Sequence, residues 1–192
     1  MEKYVISGGH PLNGEVVVGG GKNAAVAIIP ATVMVEETCI IENLPDVTDV
    51  KLLLDILENM GAEVEHVDPC TVKINCANIR SSVADHDGVR KIRASYYLMG
   101  ALLSRFHAAR VGLPGGCDFG VRPIDQHIKG FEALGADVSV EYGTVNISAE
   151  KLVGSSVYLD TRSVGATINI MLAATLAEGT TYIENACREP HI

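Results

Sequence analysis

Cys117 stands in the stretch LPGGCDFGVRPIDQH, Leu113 to His127, with two glycines on one side and an arginine on the other. Gly115 and Gly116 permit backbone conformations closed to other residues, so such a loop can move or approach a ligand closely. A thiol in a polar loop near Arg122 is a candidate nucleophile or general acid, because a neighbouring cation lowers its pKa. The competing reading is an inert, buried cysteine, and Cys39, Cys70, Cys76 and Cys187 are taken that way. Arg122 suits two-pronged capture of phosphate or carboxylate, and Asp125 can accept hydrogen bonds from a hydroxyl or a base edge. His127 follows on the helix that Pro123 would open. Residue types alone leave Cys117 open between the two readings.

A second stretch, EVVVGGGKNAAVA, runs from a strand-like segment through three glycines to Lys22 at an expected helix start. Free backbone N–H groups and the helix dipole favour an anion there. It is not a Walker A loop, which needs Gly where Val16 stands and Ser or Thr where Asn23 stands. It does match G-x-G-x-x-A through Gly19, Gly21 and Ala24, with Glu42 ending the next strand. A Rossmann-type nicotinamide oxidoreductase is therefore the first rival expectation. Arg93 in KIRAS and Ser163 in TRSVGA also sit at expected helix starts. If Lys22, Arg93 and Ser163 lead equivalent helices of a repeated unit, their N-termini converge on a pseudo-threefold axis. Such a centre holds an anion even in a chain of net charge −9.

The elements that must position these residues repeat along the chain. GKNAAVAIIPATVMVEETCIIENLPDVTDVKLLLDILENMGAEVEHV is one copy, and the chain from IRAS to VSVEY is another. A third begins at SVGATINIMLAATLAEGTTYIENACREPHI. The period is about 70 residues, and each unit reads as helix, strand, loop, second helix, then strand or hairpin. LENMGAEVEH and FEALGADVSV each put a glycine where a helix C-cap takes positive φ before a strand. The third unit breaks off before its second helix, so the chain is expected to be part of a longer protein.

Composition sets the outer limits. The 192 residues, 47% apolar and 20% charged, suffice for a sizeable core. The acidic balance argues against a general nucleic-acid binder, and the 5% aromatic content offers little for base stacking. The longest apolar runs fall short of a bilayer span, and Pro30 interrupts one of them, so no membrane segment is expected. The start lacks a secretory signal pattern. Five cysteines without a C-x-x-C pair fit a reducing cytoplasm and give no zinc framework.

GGGKNAAV, IRAS, PGGC with RPID and His127, LGA, SVGAT and LAEGTTYIENACREP together resemble the enolpyruvyl transferase family. The likeness is to its UDP-N-acetylglucosamine branch, since the shikimate branch is expected to lack the PGGC loop. The resemblance implies an α+β fold, an inside-out α/β barrel of βαβαββ-type repeats with helices inside and sheets outside. It implies one domain of a two-domain protein, with residues 1–20 a strand segment crossing to the second domain and residues 21–192 the first domain, truncated in its third repeat. It implies transfer of the enolpyruvyl group of phosphoenolpyruvate to the 3-hydroxyl of UDP-N-acetylglucosamine, without a cofactor or metal.

By the same resemblance Cys117 is the general acid and the target of fosfomycin, and Lys22 and Arg122 are catalytic. Phosphoenolpyruvate is held by Lys22, Asn23 and Arg122. UDP-N-acetylglucosamine is held by Asn23, Arg93, Arg122, Pro123, Ile124, Asp125, Gln126, Ser163 and Val164. Many relatives carry a lysine near the position of Thr161, so one nucleotide contact is expected to differ here. The family's catalytic carboxylate and further arginines belong to the second domain, so this chain by itself is expected to bind weakly and turn over little. A catalytically dead assembly module of the same fold is the second rival, and association through the face toward the second domain is a further expectation.

Overall fold

The computed structural model describes residues 3–85, 88–113 and 123–192. The first unit opens with helix α1 (Lys22–Ala31), then strand β1 (Cys39–Ile41), helix α2 (Thr48–Asn59) and the hairpin β2 (Glu63–Asp68) and β3 (Thr71–Asn75). The second has a short strand β4 (Val83–Ala84) and a 3-10 turn, Arg93–Tyr96, leading into helix α3 (Tyr97–Phe106). Strand β5 (Ala108–Gly112), helix α4 (Asp125–Ala133) and the hairpin β6 (Asp137–Glu141) and β7 (Thr144–Ser148) complete it. The third runs through β8 (Ser156–Tyr158), helix α5 (Val164–Ala174) and β9 (Tyr182–Glu184). The units follow the repeat read from the sequence.

Local sequence explains the boundaries. In α2 the apolar side chains Val50, Leu53, Leu54 and Leu57 recur at helical spacing and are buried, while Asp49 sits in the first turn where the dipole favours an acid. Gly61 and Gly135 end α2 and α4 with φ of 106° and 96°, so both expected glycine caps form. The strands build a β1-β3-β2 sheet, a β4-β5-β7-β6 sheet and a β8-β9 pair. Pairing is antiparallel except between β4 and β5 and between β8 and β9.

Helix α3 is the hub of the core. Leu98, Met99, Ala101, Leu102 and Leu103 are wholly buried, and a helix apolar on every side belongs in an interior. It packs along α5 and also meets α1. Gly100 permits the close crossing: a Cβ there would lie 2.4 Å from the backbone oxygen of Asn169. The buried Asn169 side chain ties the two helices, accepting from the Gly100 N–H at 2.9 Å and donating to the Gly165 carbonyl at 3.1 Å. The sheets lie outside these helices, with most of β2 and β6 exposed. This is the α+β arrangement with inner helices and outer sheets.

One expectation fails. The Rossmann reading requires one doubly wound parallel sheet, whereas three small, mostly antiparallel sheets form and the Gly19–Gly21 turn follows no strand. Residues 3–20, where a strand segment crossing to a second domain is expected, form no regular secondary structure here. A strand needs a hydrogen-bonded neighbour, and this segment has none among the described residues. Val16, Val17 and Val18 are exposed as a result.

Candidate functional site

Three chain segments enter helical structure at the same cleft. α1 begins after extended Gly21, the Arg93–Tyr96 turn after extended Ile92, and α5 after extended Ser163. The cleft they surround has a volume of about 610 Å³, lined by Lys22, Asn23, Arg93, Ser163 and Val164 together with Pro123 and Ile124 from the start of α4. That is room for a ligand of nucleotide-sugar size. The convergence expected from the repeat is therefore realised. Ser163 caps α5, its Oγ accepting from the Ala166 N–H at 3.2 Å. The first N–H groups of that helix have no partner within it and face the cleft with the positive end of the dipole.

The cationic side chains differ in their surroundings. Lys22 Nζ lies 2.7 Å from Asp49 Oδ2 across the cleft mouth, both half-exposed, so an arriving anion competes with a carboxylate already in place. Arg93 is partly buried and has no ion pair among the described residues.

His127 forms the inner wall. It is 7% exposed, and among the described residues neither ring nitrogen has a hydrogen-bond partner. Its ring lies 6.2 Å from that of Tyr96, and a Cβ added to Gly165 would sit 2.9 Å from its Nε2. Burial pushes the imidazole down to about 4 from its ordinary 6.5, with Asp125 pulling weakly the other way. Burial likewise pushes the Tyr96 and Tyr97 hydroxyls up.

Asp125 and Gln126 are not among the described residues that line the cleft. Gln126 is buried, donates to Asp125 Oδ2 at 2.9 Å and accepts from the Asp160 N–H at 2.8 Å. It ties the start of α4 to the segment that leads into Ser163. Lys129 closes the same knot on Asp160 at 2.8 Å. Thr161 is exposed beside it. Cys117 and Arg122 lie outside the described residues.

Sequence reasoning missed Asp49, Tyr96, Tyr97, Glu189 and His191, all of which line the cleft. Asp49 had a signal, an acidic residue opening a helix in the same unit as Lys22. Glu189 and His191 had none, because only folding brings the CREPHI segment back to the helix starts.

The sequence profile of EPSP synthase (3-phosphoshikimate 1-carboxyvinyltransferase) matches residues 6–192. The chain belongs to the EPSP synthase family. Within that family it is 55% identical over its whole length to UDP-N-acetylglucosamine 1-carboxyvinyltransferase of Clostridium botulinum, covering 46% of that protein. It is 54% identical to UDP-N-acetylglucosamine 1-carboxyvinyltransferase 2 of Bacillus subtilis, covering 44% of it. The chain thus spans about half the length of the curated relatives it matches. Among solved structures it is similar to the enolpyruvyl transferase NikO of Streptomyces tendae, with a TM-score of 0.80 and 24% identity over 96% of this chain and 43% of that one. An EPSP synthase of Acinetobacter baumannii follows at a TM-score of 0.70 and 22% identity, over 93% and 42%. Both structures share the fold of this chain. Among the described residues no helix is long and apolar enough to cross a membrane.

Proposed function

We propose that this chain is the first half of an enzyme that transfers the enolpyruvyl group of phosphoenolpyruvate to the 3-hydroxyl of UDP-N-acetylglucosamine, a cytoplasmic step toward peptidoglycan precursors. The observation that carries the reading is the meeting of three helix starts, with Lys22, Arg93 and Ser163, in one cleft. The match to the Clostridium botulinum relative over the whole chain supports the same substrate pair.

In this reading Cys117 gives a proton to the methylene carbon of phosphoenolpyruvate while the sugar oxygen bonds to the neighbouring carbon and the 3-hydroxyl proton leaves. Loss of a proton from the new methyl group and cleavage of the carbon–oxygen bond to phosphate then restore the double bond and release phosphate. A positioned acid is needed because positive character builds beside the carbon being protonated. Lys22 and Arg122 hold the phosphate and stabilise its departure, and Asn23 lies near the sugar hydroxyl. Arg93, Ser163 and Val164 take the diphosphate side of the nucleotide sugar, and the segment Pro123, Ile124, Asp125 and Gln126 takes the uridine. The second half of the protein supplies the base and covers the exposed residues 3–20. No cofactor takes part.

Intact-mass labelling by fosfomycin, with and without UDP-N-acetylglucosamine, tests the reading. It is run on this chain and on the chain completed with the remaining portion of the Bacillus subtilis relative. A single adduct that maps to Cys117 and forms faster with the nucleotide sugar is expected, at least in the completed protein. Absence of that adduct from both proteins overturns it.

A further inference from the structure

Arg93 reaches the cleft from one segment, and β5 hands over at Leu113 to the stretch carrying Cys117, four positions before the thiol. A polar brace outside the cleft joins these two places. Its centre is Arg90, three residues before Arg93. Arg90 Nη2 lies 2.6 Å from Asp85 Oδ1 and donates to Thr144 Oγ1 at 3.4 Å, while Nη1 donates to the Gly143 carbonyl at 3.4 Å. That same carbonyl accepts the Leu113 N–H at 2.8 Å, so one oxygen receives both the residue after β5 and the guanidinium. Gly143 belongs to the two-residue turn of the β6–β7 hairpin, where Tyr142 and Gly143 take φ of 49° and 73°. Thr144 donates its hydroxyl to Asp85 Oδ2 at 3.2 Å, and Arg110 approaches that oxygen at 3.6 Å. The pair is packed onto strand backbone: a Cβ at Gly112 would meet Asp85 Oδ1 at 2.6 Å and Arg90 Nε at 3.3 Å.

The two ends of the brace are held unequally. Buried Val89 and Ile92 anchor the segment of Arg90 in the core, whereas Leu113 is only partly buried. Burial pushes the Asp85 carboxyl up, but Arg90, Thr144 and Arg110 outweigh it and hold the group below its ordinary value, so the pair is ionised at neutral pH. A partly exposed ion pair adds little to stability. What the planar guanidinium adds is geometry, because its fork holds a carboxylate and a carbonyl on two segments at once.

We propose that Arg90, oriented by Asp85, is a positioning residue for the transfer: it ties the chain at Leu113 to the anchored segment that leads to Arg93, and so sets where the Cys117 thiol stands relative to bound substrate. The proposal rests on the substrate reading given above and assigns work to a residue that is not among those described as lining the cleft.

The test compares the completed protein with its Arg90→Met and Arg90→Lys variants. Turnover, fosfomycin labelling of Cys117 with the nucleotide sugar bound, affinity for that sugar by calorimetry, and thermal unfolding are followed for each. Arg90→Met should lower kcat and the labelling rate by about ten- to a hundredfold, the scale expected of a small misplacement of a reacting group. Its affinity for UDP-N-acetylglucosamine should not change, because Val89 and Ile92 still anchor the approach to Arg93. Arg90→Lys can still pair with Asp85 as a point charge but cannot also span to the Gly143 carbonyl. It should therefore unfold at the temperature of the unaltered protein and still label as slowly as Arg90→Met. If labelling recovers with the unfolding temperature in Arg90→Lys, or if Arg90→Met labels and turns over at the unaltered rate, positioning by Arg90 is refuted and the substrate reading stands. If the unaltered protein neither labels at Cys117 nor turns over the two substrates, the substrate reading itself falls, and this proposal with it.

Discussion

Acidification from pH 7 toward 4 should weaken the fold through His127 before the carboxylates respond. The imidazole is buried with no hydrogen-bond partner among the described residues, and burial holds its pKa at about 4 in the folded chain against 6.5 when unfolded. With the folded value depressed, the unfolded chain binds the extra proton across that interval, so stability falls as pH falls. The contribution is complete above about pH 6.5 and spent near pH 4. At about 1.4 kcal/mol per unit, the loss is about 3 kcal/mol, a large fraction of the roughly 5–15 kcal/mol that holds a domain folded. The acids that could mimic the effect act lower. Asp125 is held below the ordinary carboxylate value mainly by the Gln126 side chain, and Asp160 mainly by Lys129. Their stabilisation is lost as pH falls below the ordinary carboxylate range. Urea unfolding of the unaltered chain and of His127→Gln at half-unit steps from pH 7.5 to 4 separates the two. The unaltered curve should decline by about 3 kcal/mol more than the variant's over that interval. Parallel curves, or an imidazole titrating near 6.5 by NMR, would refute the reasoning.

Three further outcomes follow from the packing. Gly100→Ala should cost about 3 kcal/mol by urea unfolding, because the new Cβ meets the Asn169 backbone oxygen at 2.4 Å and backbone cannot yield cheaply. Asn169→Ala should cost about 2 kcal/mol in the same assay, since it strips the Gly100 N–H of its acceptor in a buried contact. Asp49→Asn should leave stability within about 1 kcal/mol, as expected for an exposed ion pair. By freeing Lys22 it should also tighten binding of phosphoenolpyruvate in the completed protein, measured by calorimetry; unchanged or weaker binding would mean that Asp49 does not compete for Lys22.

Much of this was legible in the sequence because it was said more than once. Helix starts, glycine caps and hairpins recur from unit to unit, so each copy corroborates the next, and Gly61 and Gly135 end equivalent helices in equivalent ways. The meeting of Lys22, Arg93 and Ser163 followed from the repeat and not from any local motif. Gly19, Gly21 and Ala24 misled for the complementary reason: a dinucleotide fingerprint has meaning only between a strand and a helix, and no strand precedes these glycines. The apolar run Val16 to Val18 signals a strand whose pairing the described chain does not contain. Invisible beforehand were contacts between units. One is the tie between the Gln126 amide in the second unit and the Asp160 N–H, 34 positions on, at the entry to the third. The burial of the His127 ring without a hydrogen-bond partner among the described residues has no sequence signal, because it is set by how α5 and the turn before α3 pack on it.

The cleft is assembled from the heads of three successive units, and that arrangement governs when it can exist. The first two units can each close a hairpin from neighbouring residues, a local and fast event, whereas bringing Lys22, Arg93 and Ser163 together requires closure over most of the chain. The cleft is therefore tied to the docking of α1 and α5 on α3. A ligand that bridges the three heads binds only the fully docked chain, so it should slow exchange of the most deeply buried amides in all three units alike and not merely those beside it.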